Sequence, residues 1–326
     1  MTDSLRRRCD LAISNKTLLR REFKQFDLFV LAIGADLYAA DNLVVDNKRI
    51  DRCHRIIKEN TNVFSIYRSF CSHFFAVLLS FENDPQAQLQ RTLEMYRELR
   101  RYFSRSYQLS FAAYYLAKLS TRPVHELASS TNAIYKLMKA VLPGETHSKD
   151  VVWAVVWGVC RRYSADVVRI LTDASLRLDG VLTRSKKRRL LHSIAAFEGD
   201  FERIGRRINT ISDMLAERKY KYGKHFEQNI LAVLAMTDVP EEMLVSDVVE
   251  TVQYLKKSTA FSRFMSRREL LVHAVITVIN EYTVIDVSTV DEPQGSAMKR
   301  LNTVLCLAIG ATVSEYGTLI HDQVYS

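Results

Sequence analysis

The sequence predicts an all-α fold, an α-solenoid-like array of about seven helical hairpins with a period near 40 residues. Three observations carry that reading. The chain has 326 residues, 48% of them hydrophobic, enough to bury a large core and unlike a disordered composition. Its 10 glycines and 5 prolines are too few to punctuate the short strands of an all-β protein. Apolar, alanine-containing segments also return along the chain at nearly constant spacing.

Taken in order, residues 1–25 form a basic, roughly amphipathic stretch, "SLRRRCDLAISNKTLLRREFKQF", with Leu5, Ile13, Leu18, Leu19 and Phe23 as apolar contacts. It reads as a helix capping the first hairpin, with attachment to an anionic membrane surface as the alternative. Seven apolar segments follow: 29–40, 74–81, 111–120, 151–160, 190–199, 230–239 and 271–280. Anchored on Ala32, Ala76, Ala113, Ala154, Ala195, Ala232 and Ala274, they are separated by 44, 37, 41, 41, 37 and 42 residues. Each is apolar nearly all round and is expected to be sandwiched between neighbours. Between them lie amphipathic second helices. In "QLQRTLEMYRELRRYF", Leu89, Leu93, Tyr96 and Leu99 make one stripe at helical spacing, with charges on the other faces. One such hairpin cannot bury its apolar helix alone, whereas stacked hairpins share a continuous core. A closed α/α toroid of the same pairs is the structural rival, and the whole chain, 1–326, reads as one helical-repeat domain. At the end, 281–297 is a long corner and 298–320 an apolar terminal helix, expected to tuck against the preceding hairpin, with a homodimer contact as the alternative.

The "YRS" segment at 67–69, the "FENDP" corner at 81–85, the regular hairpins after them and the apolar terminal helix resemble the bacterial family catalogued as domain of unknown function 4003. The resemblance covers nearly the whole chain. It implies a cytoplasmic bacterial protein with no established activity, and it transfers no catalytic residues.

The chemistry-bearing motifs are few. Five cysteines, Cys9, Cys53, Cys71, Cys160 and Cys306, are far apart and never at C-x-x-C spacing, which argues against a disulfide framework or zinc site and for a reducing cytoplasm. The start has no apolar segment of signal-peptide form. The runs "VVWAVVWGVC" and "VLCLAIGATV" are each about half the roughly 20 residues a membrane-spanning helix needs. No H-E-x-x-H, G-x-S-x-G, P-loop or dinucleotide fingerprint occurs, so no catalytic residue, metal or cofactor is expected. His73, His192 and His273 fall near the starts of three first helices and read as locally hydrogen-bonded histidines rather than a shared metal set.

Two features point outward. Tyr114, Tyr115, Trp153 and Trp157 are candidates for a ligand groove, although aromatics at helical spacing are also what a core needs. Basic clusters recur at the corners after second helices: Arg97, Arg100, Arg101 and Arg105; Arg184, Lys186, Lys187, Arg188 and Arg189; Arg218, Lys219, Lys221 and Lys224; Lys256, Lys257, Arg263, Arg267 and Arg268. They hold 18 of the 46 basic residues in a chain of net charge +9. In a stacked array these corners share one edge. Basic residues at helix C-termini also complement the helix dipole, at about 0.3–1 kcal/mol each, which explains part of the pattern but not the density of "RSKKRR". Replacing Lys186, Lys187, Arg188 and Arg189 by Ser is expected to leave folding nearly intact. The sequence therefore favours a non-enzymatic scaffold for a protein or peptide, using the aromatics and the basic edge. Nucleic-acid binding through that edge is the alternative, and a helical enzyme with a site invisible in sequence is the third reading.

Overall fold

The computed structural model describes residues 1–24, 27–159, 164–221, 226–262, 265–283 and 297–325. Among them are sixteen α-helices and no strand: α1 (Asp3–Glu22), α2 (Leu28–Ala40), α3 (Asn47–Asn60), α4 (Ser72–Ser80), α5 (Pro85–Leu99), α6 (Tyr107–Leu119), α7 (Val124–Val141), α8 (Val151–Val159), α9 (Ser164–Leu178), α10 (Arg184–Phe197), α11 (Phe201–Glu217), α12 (Glu227–Ala235), α13 (Glu241–Lys257), α14 (Thr259–Ser262), α15 (Arg267–Tyr282) and α16 (Ala297–Tyr325). The starts are set by polar caps. Thr2, Asp27, Asp46, Ser106 and Thr183 each accept a first-turn N–H, and Ser266 with Glu269 forms a reciprocal capping box on α15. The seven anchor alanines fall in seven separate helices, α2, α4, α6, α8, α10, α12 and α15, and every one is 0% exposed.

The chain divides into two compact units. The first comprises Met1–Gln86 and Thr210–Ile285. Here α1 lies on α2, α13 and α15, and α2 also packs on α4 and α15. The apolar helix of the first hairpin is thus covered partly by that of the seventh. Leu5, Cys9, Ala12 and Leu19 of α1 are fully buried, and Asn15 clamps the α2–α3 corner, donating to Leu43 O and accepting from Val45 N, both at 2.9 Å.

The second unit comprises Ala87–Asn209 and Asp286–Ser326. Its centre is α6, α8 and α10, with α16 laid across all three. The sequence places this terminal helix on the preceding hairpin; within its own unit it packs on the first helices of the third, fourth and fifth. Gly310 makes that approach close, since a Cβ there would stand 3.1 Å from the Tyr115 ring and 3.2 Å from Phe111. Leu301–Ile320 is long and apolar enough to cross a membrane by length and composition alone, with mean hydropathy 1.5, yet 61% of it is buried. The expected corner at 281–297 lies almost wholly outside the described residues.

One device recurs. Helix C-termini leave carbonyls without intrahelical partners, and four arginines supply donors to the ends of four consecutive first helices. Arg8 reaches Ala39 O and Ala40 O of α2 at 3.2 and 2.8 Å. Arg49 reaches Glu82 O just past α4 at 2.7 Å. Arg91 reaches Ala117 O, Ser120 O and Arg122 O at the end of α6, and Arg122 reaches Gly158 O of α8 at 3.1 Å.

Candidate functional site

The proposed aromatic groove does not form. Tyr114, Tyr115, Trp153 and Trp157 are 2%, 3%, 2% and 1% exposed, so no ligand can reach them from solvent. The reason lies in helices that are apolar on every face: they are covered on every face, and spacing along them cannot distinguish an outer side.

The clustered cations are exposed only in part. In the second unit, Arg97, Arg100, Arg101 and Arg105 are exposed at and beyond the end of α5. Arg100 donates to Phe103 O at 2.6 Å and Arg101 pairs with Glu98 at 2.9 Å. "RSKKRR" does not trail a second helix. It opens α10 behind the Thr183 cap, at the helix end where positive charge is disfavoured by the dipole. Most of its cations have partners that offset this. Lys187 is buried, held by Asp179 at 2.7 Å and Glu145 at 3.1 Å. Arg189 and Lys149 share Glu315, each at 3.1 Å. Lys186 donates to Asn209 Oδ1 at 3.0 Å, and Arg188 to His147 Nε2 at 2.6 Å. Lys187 is therefore a structural residue rather than an edge contact, and the expectation that serines at 186–189 spare folding is overturned by its burial and its two carboxylates.

In the first unit the corner cations are less occupied. Lys219, Lys221, Lys256, Lys257, Arg267 and Arg268 are all exposed, while Lys224 and Arg263 lie outside the described residues. Arg267 and Arg268 stand in the first turn of α15, so the dipole account fails for them too. Nearby, Arg20, Arg21 and Lys24 from the end of α1 line a cleft of about 550 Å³ with Thr17, Thr259 and Ala260. Beneath this end of α1 lies Lys16, 1% exposed, with its Nζ 4.2 Å from the centre of the Phe261 ring; burial pulls its pKa down to about 8.

The three histidines each find local surroundings. His273 Nδ1 lies 2.6 Å from Asp36 Oδ2, both residues wholly inside the first unit, and burial raises the pKa of Asp36. His192, in the second unit, has Nε2 at 3.1 Å from Thr146 Oγ1 and 3.3 Å from Glu145 O. Its burial holds the pKa down at about 4. His73, in the first unit, packs against His54 of α3 with the rings tilted by 56° and their centres 3.9 Å apart. Burial, then the neighbouring His54 and Lys58, depress His73 to about 3, and burial, then Lys58, depress His54 to about 4, so both imidazoles are neutral at neutral pH. Sequence reading missed His54, which sits on an amphipathic helix with nothing to mark it. Among the described residues no group of three or more His, Cys, Asp or Glu is placed to hold a metal. Burial raises the Cys9 and Cys53 thiols to about 12 and about 11, and Cys71 higher still, which makes all three poor nucleophiles at neutral pH.

What these features define is an all-helical protein in which Tyr114, Tyr115, Trp153 and Trp157 belong to the core and most of the clustered cations stand exposed at helix ends. The chain belongs to the family described as protein of unknown function (DUF4003), whose profile matches residues 16–292. No curated protein and no solved structure matches it.

Proposed function

We propose that the chain is a non-catalytic binding protein, that its exposed basic corners are the contact surface, and that the ligand is the phosphate backbone of nucleic acid. The observation behind this is in the first unit: Lys219, Lys221, Lys256, Lys257, Arg267 and Arg268 are exposed, and none has a side-chain hydrogen bond or ion pair among the described residues. The cleft beside them is walled by Arg20, Arg21 and Lys24, and its described lining residues include no carboxylate. Those six cations, grouped without side-chain partners among the described residues, create the positive field that attracts a polyanion. A protein or peptide partner is what the sequence alone favours, but half of that preference rests on Tyr114, Tyr115, Trp153 and Trp157, which are core. Interfaces between proteins draw much of their energy from exposed aromatic anchors, and these four supply none.

The test is fluorescence anisotropy with labelled single- and double-stranded oligonucleotides across a salt series. Binding should weaken steeply with salt, because each neutralised phosphate releases counterions. The variant with Lys256, Lys257, Arg267 and Arg268 all changed to Gln should flatten the log–log slope by up to about 4. Absence of binding at low salt, or a protein partner from the host that survives nuclease and still binds this variant, overturns the reading.

A further inference from the structure

At the α3–α4 corner of the first unit lies a cleft of about 540 Å³, within the roughly 300–1,000 Å³ range of small-molecule pockets. We propose that this cleft binds a phosphate monoester, its phosphoryl group resting at the start of α4. Arg68 and Ser69 supply part of the wall.

Four observations converge. Helix α4 has nine residues, and its N-cap, Cys71, makes no side-chain capping bond; apart from the Ser72 N–H, which donates to Ser69 O at 2.9 Å, the positive end of the helix meets the cleft without the side-chain acceptor most helices place there. Ser72 stands in the wall and is 3% exposed, yet its Oγ has no hydrogen-bond partner, an uncommon state for a buried hydroxyl and one that a ligand oxygen would relieve. Arg68 is fixed by a bond from its guanidinium to the Lys58 carbonyl oxygen, while its Nε is buried without a partner. The Lys58 side chain, in the same lining, is exposed and adds a second cation.

The one carboxylate among the described lining residues, Asp27, has Oδ1 engaged by the N–H groups of Phe29 and Val30 on its own helix, at 2.9 and 3.1 Å. The balance at the cleft is thus two cations to one acid, with the neutral His54 and His73 as polar walls that add no charge. Donors approach from the helix end, from Ser72 and from the Arg68–Lys58 side. That arrangement suits the three acceptor oxygens and near-dianionic charge of a phosphate monoester better than the two oxygens of a carboxylate. Val63, 71% exposed, flanks the opening and gives the organic part of the ester an apolar contact.

Isothermal titration calorimetry of the full chain tests this, with phenyl phosphate as probe and benzoate and inorganic phosphate as comparisons. Phenyl phosphate should bind at least tenfold more tightly than benzoate and more tightly than inorganic phosphate. Ser72→Ala should weaken it about fivefold, and Lys58→Gln and Arg68→Gln about tenfold each, as expected for loss of a neutral and of charge-assisted hydrogen bonds. Arg97→Gln, in the other unit, and the four-residue corner variant should leave it unchanged, which separates this site from the nucleic-acid surface. If Arg68→Gln proves unfolded by circular dichroism, Lys58→Gln at an exposed position and Ser72→Ala decide the matter. No heat with phenyl phosphate, equal affinity for benzoate, tighter binding of inorganic phosphate, or unaltered binding by Ser72→Ala and Lys58→Gln each overturns the proposal.

Discussion

The Asp36–His273 pair offers the sharpest test of how the first unit is held together. Both side chains are 0% exposed and meet at 2.6 Å, while Asp36 Oδ1 and His273 Nε2 have no hydrogen-bond partner. Neither group can turn to water if its partner is lost. Removing one member of such a buried pair costs about 3–5 kcal/mol, a large share of the roughly 5–15 kcal/mol by which domains are stable. Asp36→Ala should therefore unfold the unit at much lower urea. His273→Ala should do the same, and the double variant should cost less than the sum of the singles by about 1–3 kcal/mol. The transition should be followed by circular dichroism, because both tryptophans, Trp153 and Trp157, lie in the other unit. A single-variant cost below about 1 kcal/mol, or strict additivity in the double, would refute the claim that this contact ties α2 to α15.

Three further outcomes are expected. Lys187→Ser should destabilise the protein by about 1.5–3 kcal/mol by stripping a charged donor from Asp179 and Glu145, whereas Arg184→Ser should lie within about 0.5 kcal/mol of wild type; comparable urea midpoints for the two would contradict the burial of Lys187. Trp157→Ala should cost about 3–5 kcal/mol, a measurement that would come out near zero if the ring faced a groove. For pH, His54 and His73 have folded pKa values below the ordinary 6.5, so the unfolded chain binds more protons and their contribution to stability falls as pH drops from about 6.5 to about 3. The double variant His54→Phe/His73→Phe should show a flatter dependence of urea midpoint on pH across that window, and an unchanged dependence would exclude the pair as the source.

The all-helical class and the positions of the apolar helices were legible because they rest on composition and on periodicity, which local sequence carries. The fully buried alanines from Ala32 to Ala274 show how reliable a small residue in an apolar run is as a marker of close packing. The sequence reading failed where direction mattered. Trp153 and Trp157 lie on a helix apolar all round, so nothing in the sequence assigns them an inside or an outside. "RSKKRR" opens a helix where its charge pattern suggests the end of one, although the signals for the start are in the sequence. Gly180, at φ +74°, is a helix-stop residue, and Thr183 three positions later is a helix-start residue, which together place the arginines and lysines in α10. The α3–α4 cleft was half legible: "YRS" stood out, but its apposition to His54 depends on how two helices meet.

The arginine caps at Ala40, Glu82, Ser120 and Gly158 divide the molecule by its response to acid. A guanidinium keeps its proton at any pH a protein meets, so these ties from Arg8, Arg49, Arg91 and Arg122 to backbone carbonyls are indifferent to proton concentration. The buried imidazoles of His54, His73 and His192 are not. Acidification should loosen the interior around those rings first, while the ends of the apolar helices stay fastened. The resulting state would be one in which corners keep their native geometry after the packing between them has begun to yield.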